Sequence, residues 1–291
     1  MSEKKKVAIV TDSNSCISQK KAEKYGVYVL QMPFNIDGVE YLEGLDISHN
    51  EFFEKQVNGS TIFTSQPSPA AVMELWDKLL EEYDEIVHIP MAGSLSSSLG
   101  TAMALSMDYD GKVVVVDNQR LAMTTKQSVL DAKALADAGE NARSICQKLV
   151  FTKEDASIFI AIEDLKYLKA GGRISGATAA MGTVLNIKPI LSFANGIIGA
   201  AGKARGKKGA MKMIIDLTKK EMEQKYHDTD INNYYLYTAS CLRKDEAIEW
   251  NHYVMEQFGV FSQIETIPLS ISTHVGVGAF AIAICKKHDF N

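Results

Sequence analysis

Short aliphatic, β-branched runs alternate with longer stretches of helical spacing through the first half of the chain, and nothing else in the sequence constrains the fold as strongly. The runs "KVAIVTD", "VYVLQMPF", "EIVHIPM", "KVVVVDN" and "SIFIAIED" are near-continuously apolar and of strand length. Between the later ones, "PAAVMELWDKLLEEY", "LGTAMALSM" and "LAMTTKQSVLDAKALADAG" place apolar residues three and four apart, as a helix with one buried face requires. Strands that are apolar throughout need cover on both faces, and parallel neighbours need crossover helices. The expected first unit is therefore an α/β domain with a largely parallel sheet and helices on both faces. Residues 36–62 show no clear period and are expected to form an irregular excursion with one short helix at "SHNEFFEKQ".

After Asp164 the pattern changes. A Gly-rich basic turn leads into the small-residue run "GATAAMGTVLN", and "KPILSFANGIIGAAGKARGKKG" then reads as strand, turn and strand. Two helical runs, "AMKMIIDLTKKEMEQKY" and "KDEAIEWNHYVMEQFG", alternate with the strands "NNYYLYTAS" and "VGAFAIAIC". That order predicts a second α/β domain with a mixed sheet. The chain of 291 residues is long enough for two domains, and the expected division is 1–163 and 164–291.

Composition removes several classes of function. A net charge of -5 argues against a nucleic-acid binder, and 46% hydrophobic content describes a soluble globular chain. No apolar run approaches the ~18 residues of a membrane span, and "MSEKKK" passes directly into a strand, so a cytoplasmic location is expected. Cys16, Cys146, Cys241 and Cys285 lack the paired spacing of a zinc site or redox dithiol and are expected to be free thiols, mostly buried. The six histidines have no metal-ligand spacing, so no metal is expected. No Gly-x-Gly-x-x-Gly follows a strand and "GKARGKKG" is not a phosphate loop, so no nucleotide cofactor is expected either.

In an open α/β sheet, ligands collect outside the carboxyl ends of the strands. That edge is rich in small polar groups here: Thr11, Asp12, Ser13 and Ser15 after the first strand, Ser94, Ser96, Ser97 and Ser98 after "EIVHIPM", and Asp117 and Asn118 after "KVVVVDN". Helix capping competes with ligand binding as their explanation. In "TSQPSPAAV" capping accounts for Ser68, with Pro69 at the first helical position, but leaves Thr64, Ser65 and Gln66 unexplained. In "LKYLKAGGRISG" the glycine pair fits a helix C-terminus, while Arg173 is either a surface residue or a fork for an anion. His274, in "STHVGVGAF", is either structural or placed where glycines let backbone approach a ligand. A small-molecule enzyme is the alternative, either a serine hydrolase assembled from Ser96, His274 and Asp12 or a phosphosugar-type transferase, but "GSLSS" is no nucleophile elbow and no acid flanks His274.

Taken in order, "TDSNSCIS", "TSQPSP", "LSSSLGTA", "VVVVDN", "DLKYLKAGGRIS", "LNIKPIL", "GKARGKKGA" and "THVGVGAF" resemble the motifs of the DegV family across nearly the whole chain. That family includes the fatty-acid-binding subunits (FakB) of bacterial fatty acid kinase. The resemblance implies a two-domain α/β fold with a long-chain fatty acid, such as palmitate, bound between the domains. By motif position its carboxylate would be held by Thr64 and Ser96, with Ser65 and Ser97 beside them and His274 and Arg173 near the head group. Arg205, in "KARGKKG", would face the partner, an ATP-binding (FakA-like) kinase subunit. Such a chain is not itself an enzyme and carries no catalytic residue; it presents the acid for conversion to an acyl phosphate used in phospholipid synthesis. Its partners would be the fatty acid, the kinase subunit and, transiently, a membrane surface; a stand-alone lipid carrier is the other non-enzymatic alternative. The sequence departs from the family pattern at "LSSS", where "LSGT" is usual, at Val277, where proline is usual, and in "YLYTASC", which lacks a common histidine.

The chemistry suits such a ligand. About 14 buried methylenes at ~0.8 kcal/mol each would contribute on the order of 11 kcal/mol before ordering costs, so the tail supplies most of the affinity. The carboxylate, stripped of water, needs hydrogen-bond donors in return.

Overall fold

A computed structural model of the chain describes residues 5–173 and 186–290. The first strand, β1 (Val7–Asp12), is buried along its whole length. It pairs in parallel with β2 (Tyr28–Leu30) and β6 (Glu85–Ile89), and β6 pairs in parallel with β7 (Val113–Val115), giving the order β2-β1-β6-β7. The period of two in β1 divides its side chains between two cores. Ala8 and Val10 pack with Val72, Trp76 and Leu79 of α3 (Pro69–Leu80) and with Ala102 of α4 (Ser98–Ser106). Val7 and Ile9 pack with Val129, Ala132 and Leu135 of α5 (Met123–Ala138) and with Ile145 and Leu149 of α6 (Ala142–Phe151). The parallel sheet covered on both faces is thus as expected.

The excursion at 36–62 proves to be ordered. "VYVLQMPF" is two strands rather than one: β2 stays in the parallel sheet, while β3 (Pro33–Ile36) pairs antiparallel with β4 (Val39–Leu42) and β5 (Ile62–Thr64) in a separate three-stranded sheet. The β3–β4 turn is Asp37-Gly38, both at positive φ (51° and 90°), the backbone of a type I′ hairpin. The expected helix is α2 (His49–Val57), whose Phe52 packs on Phe34 and Ile36 of β3.

The second sheet has the order β10-β9-β8-β13-β11-β12 and is antiparallel except for its last pair. It comprises β8 (Ala156–Ala161), β9 (Ile187–Ala194), β10 (Ile197–Arg205), β11 (Tyr234–Ser240), β12 (Gln263–Thr266) and β13 (Phe280–Lys286). The run "SIFIAIED", read above as the last strand of the first half, is β8 and lies between β9 and β13. Sheet membership therefore changes between Val115 and Ala156, ahead of the division expected at 163/164. Both sheets demand a strand buried on both faces, so apolar content alone does not assign β8 to either. The small-residue run after Arg173, with Ser175, lies outside the described residues.

Alternation along β13 shows what the second sheet does. Phe280, Ile282 and Ile284 pack against α8 (Gly206–Gln224) and α9 (Lys244–Phe258) through Ile214, Ile215, Trp250 and Val254. The opposite face presents only small side chains, Ala281, Ala283 and Cys285, toward Cys16, Ala122 and Met123 of the first half. A seam of small residues thus runs between the two sheets, closed at one end by α7 (Lys166–Ala170) and α10 (Leu269–Val275). Cys16, Cys241 and Cys285 are buried and Cys146 partly so, all as free thiols, and burial pushes the Cys241 and Cys285 thiols up to about 12. Among the described residues no helix is long and apolar enough to cross a membrane, and no cluster of His, Cys, Asp or Glu could hold a metal ion.

Candidate functional site

At the end of the seam a cavity of about 290 Å³ opens between residues 64–66 after β5, residues 95–97 before α4, Arg173 after α7, and α10. It brings together Thr64, Ser65, Ser96, Ser97, Arg173 and His274, all six residues picked out for the head group. The exposed Arg205, at the junction of β10 and α8, does not line it.

Capping and ligand-facing roles separate along "TSQPSP". Ser68 accepts a hydrogen bond from the Ala71 N–H at 3.2 Å and Pro69 opens α3, so this half of the motif starts a helix. Thr64, four residues earlier, ends β5 and turns its hydroxyl to His274, with Oγ1 3.1 Å from Nε2. Gln66 lines the cavity and accepts from the Thr101 hydroxyl of α4.

The His274 ring is held against bare backbone. A Cβ at Gly171 would lie 2.1 Å from its Nδ1, so the first glycine of "AGGRIS" is required by the ring's position. Burial, with the Arg173 charge second, lowers the His274 pKa to about 4, and the imidazole is neutral at pH 7. Its Nδ1 is buried without a partner among the described residues. An orphaned N–H is costlier than an orphaned lone pair, so the network assigns the proton to Nε2, which donates to Thr64. The Thr64 hydroxyl keeps its own proton for a ligand.

Arg173 donates from Nε to Leu95 O at 3.3 Å and from Nη1 to Gly171 O at 2.6 Å, and it has no carboxylate partner among the described residues. A guanidinium braced by two carbonyls at the rim of a cavity, with no carboxylate on it among the described residues, has the chemistry to hold an anion. Ser96 accepts from the first N–H of α4, Ser98 N, at 3.2 Å, so this cavity-lining serine also satisfies one backbone donor at the start of the helix. Ser270 also lines the cavity. The serine precedes His274 by four residues in "LSISTHV", one helical turn, a spacing that would have flagged it.

Beside the polar-mouthed cavity, on its seam side, lies a second, apolar space of about 60 Å³. Leu121, Leu168, Ile198, Ile271 and Val275 line both, and Ile158, Phe193 and Ala281 line the inner one. The Ser96–His274 pair of a hydrolase is not assembled: the imidazole is bonded to Thr64, and Ser96 is bonded to Ser98.

Fold and site together define an α/β protein with a polar-mouthed, apolar-lined pocket at the seam of its two larger sheets. Residues 6–287 match the family described as "Uncharacterised protein, DegV family", and the chain belongs to the DegV family. It is 30% identical over 289 residues to a DegV domain-containing protein of Caldanaerobacter subterraneus subsp. tengcongensis, covering 97% of this chain and 99% of that one. It superposes on the structure of a fatty-acid-binding DegV family protein from Thermus thermophilus with a TM-score of 0.87 and 28% identity, over 97% of this chain and 100% of that chain. A fatty-acid-binding DegV family protein from Streptococcus agalactiae gives a TM-score of 0.85 and 26% identity, over 98% and 100%.

Proposed function

We propose that this chain binds a long-chain fatty acid, with the carboxyl group at Thr64 and Ser96 beside Arg173 and the tail in the apolar seam, and that it presents the carboxylate to a separate ATP-using kinase subunit. The observation that carries this reading is the shared wall of the two cavities, Leu121, Leu168, Ile198, Ile271 and Val275, with polar groups at one and an apolar lining at the other. Donors and the Arg173 guanidinium stand at the mouth, and among the described residues Ser192 is the one polar residue that flanks the interior. A head group needing charge-assisted hydrogen bonds and a tail needing none fit that order. The fatty-acid-binding DegV proteins that share the fold support the ligand class.

The hydroxyls are neutral and His274 is uncharged at pH 7, so the carboxylate is held without being locked in several ion pairs. That favours a head group handed on to a reaction elsewhere. Exposed Arg205, with exposed Lys203 and Lys208 beside it, offers positive charge for docking the kinase subunit. Exposed Phe63 and Ile197 each sit one residue from a lining residue, Thr64 and Ile198, and give the rim an apolar contact for a membrane surface. The test is the lipid content of the purified protein by native mass spectrometry: one fatty-acid mass is expected, and T64A/S96A should lose most of it. Undiminished lipid in the double variant would remove the head-group assignment. Charge reversal of Arg205 should lower kinase-dependent acyl phosphate formation without changing the lipid content. Acyl phosphate made from ATP by this chain alone would overturn the presenting role.

A further inference from the structure

Behind Ser96 runs a chain of polar groups that the head-group contacts do not use. Asp12, at the end of β1, is fully buried. One of its carboxylate oxygens lies 3.3 Å from the Ser98 hydroxyl and the other 3.5 Å from His88 Nε2. The Ser98 hydroxyl in turn lies 3.2 Å from that of Ser96. Asp12, His88 and Ser98 are all more than nine-tenths buried, whereas Ser96 lines the cavity.

The direction of these bonds follows from what each group can do. A carboxylate only accepts, so Ser98 gives its one proton to Asp12. Ser98 is then left with lone pairs alone toward Ser96, and Ser96 gives its proton inward. The Ser98 N–H occupies one lone pair of Ser96, and the other remains on the cavity side. Opposite it, Thr64 accepts from His274 Nε2 and has its proton free.

We propose that Asp12 is a positioning residue for the head-group site: acting through Ser98, it holds the Ser96 hydroxyl with its proton turned inward, so that an incoming carboxyl group meets a donor at Thr64 and an acceptor at Ser96. This rests on the fatty-acid reading above and deepens it. A protonated carboxyl matches the pair as it stands, with its carbonyl on Thr64 and its O–H on Ser96. An ionised one must turn the Ser96 proton outward and break the 3.2 Å bond to Ser98. The relay therefore opposes ionisation at Ser96, while Arg173 favours it, and the head group is held less tightly than the full set of donors would allow.

The charged and titratable groups around this carboxyl are Arg173 and His274 in the cavity, His88 against Asp12, and the buried Glu43 behind Ser270. None of these four is altered in the test. Palmitate labelled with 13C at the carboxyl is loaded into the full chain, and its NMR shift is titrated against pH in the wild type, S98A, S98T and D12N. Ser98→Ala removes the inward acceptor but keeps the Asp12 charge. Asp12→Asn keeps its oxygen on His88 and turns an N–H to Ser98, which reverses the relay and points the Ser96 proton at the ligand. In both, the ionisation constant of the bound carboxyl should rise about tenfold, a fall of roughly one pKa unit. S98T, which keeps the hydroxyl, should titrate as the wild type does.

A fall in D12N but not in S98A would mean that only the removed charge acts, and the relay would be wrong. An unchanged or raised value in S98A would overturn it as well. Should D12N fail to fold, S98A against S98T decides alone. A wild-type chain that takes up no palmitate would remove the fatty-acid reading and the relay with it, whereas a loaded wild type with an unshifted S98A removes the relay only.

Discussion

At the scale of single residues, the site depends on how closely the His274 ring lies on the backbone of Gly171. A methyl at Gly171 would be 2.1 Å from Nδ1 and 2.6 Å from Cε1, distances that force the ring away and break its bond to Thr64. Gly171→Ala should lower stability by about 1–3 kcal/mol, as overpacking does, and should reduce the co-purifying lipid. Thermal denaturation and mass spectrometry check the two effects, and wild-type values for both would show that the ring has room to spare. His274 also sets a pH dependence. Its folded pKa of about 4 lies below the ordinary 6.5, so between those values the unfolded chain binds the extra proton and stability falls as pH falls. The loss relative to His274→Gln should grow across that window to about 3 kcal/mol at most. Urea midpoints of both proteins at pH 7 and pH 4.5 measure it, and parallel losses would place the acid sensitivity elsewhere. These residues were legible one by one through their motifs. Their meeting was not, because Thr64 and His274 are 210 positions apart and only the packing of α10 on β5 joins them.

At the scale of elements, local chemistry decided what could be read. Ser68-Pro69 announced the start of α3 because a cap is made by neighbours in sequence. Ser68→Ala should therefore cost about 1 kcal/mol in chemical denaturation and leave the bound lipid unchanged. Lost lipid in that variant would tie the cap to the site and undo the division of the motif. The hairpin within residues 36–62 was readable too, since Asp-Gly between two short apolar runs is a turn signal, but a long aperiodic stretch hid it. β8 could not be assigned from its own residues, because a strand buried on both faces looks the same in either sheet. Likewise Leu121, Leu168 and Ile271 of the cavity wall carry no mark that separates them from ordinary core.

At the scale of the whole molecule, the two sheets meet across small side chains and a few buried polar ties, and the pocket exists because that seam is not filled by large residues. Glu43, beyond β4, accepts from Ser13 after β1 at 2.5 Å and from the backbone and hydroxyl of Ser270 on α10, both at 2.9 Å. Burial raises its pKa despite these donors. A second tie joins Lys126 of α5 to Glu265 of β12 at 2.5 Å, with Lys21 on the other carboxylate oxygen. Lys126 is 1% exposed and Glu265 7%, so Lys126 is compensated chiefly by Glu265, helped by Gln263 Oε1 at 3.1 Å, while Glu265 is shared with Lys21. Neither tie showed in the sequence: Lys126 sits in a run that reads as an amphipathic helix, where a lysine is expected to face water. Glu265→Gln leaves the Lys126 charge in the seam without its counter-ion and should destabilise the chain by about 3–5 kcal/mol. Lys126→Met with Glu265→Leu removes both charges and should recover most of that loss, since apolar replacement of a buried pair is often close to neutral. Urea denaturation of the single and double variants measures the difference. A single variant as stable as the wild type would mean that Lys126 reaches water, and the buried pair would then not be what ties α5 to β12.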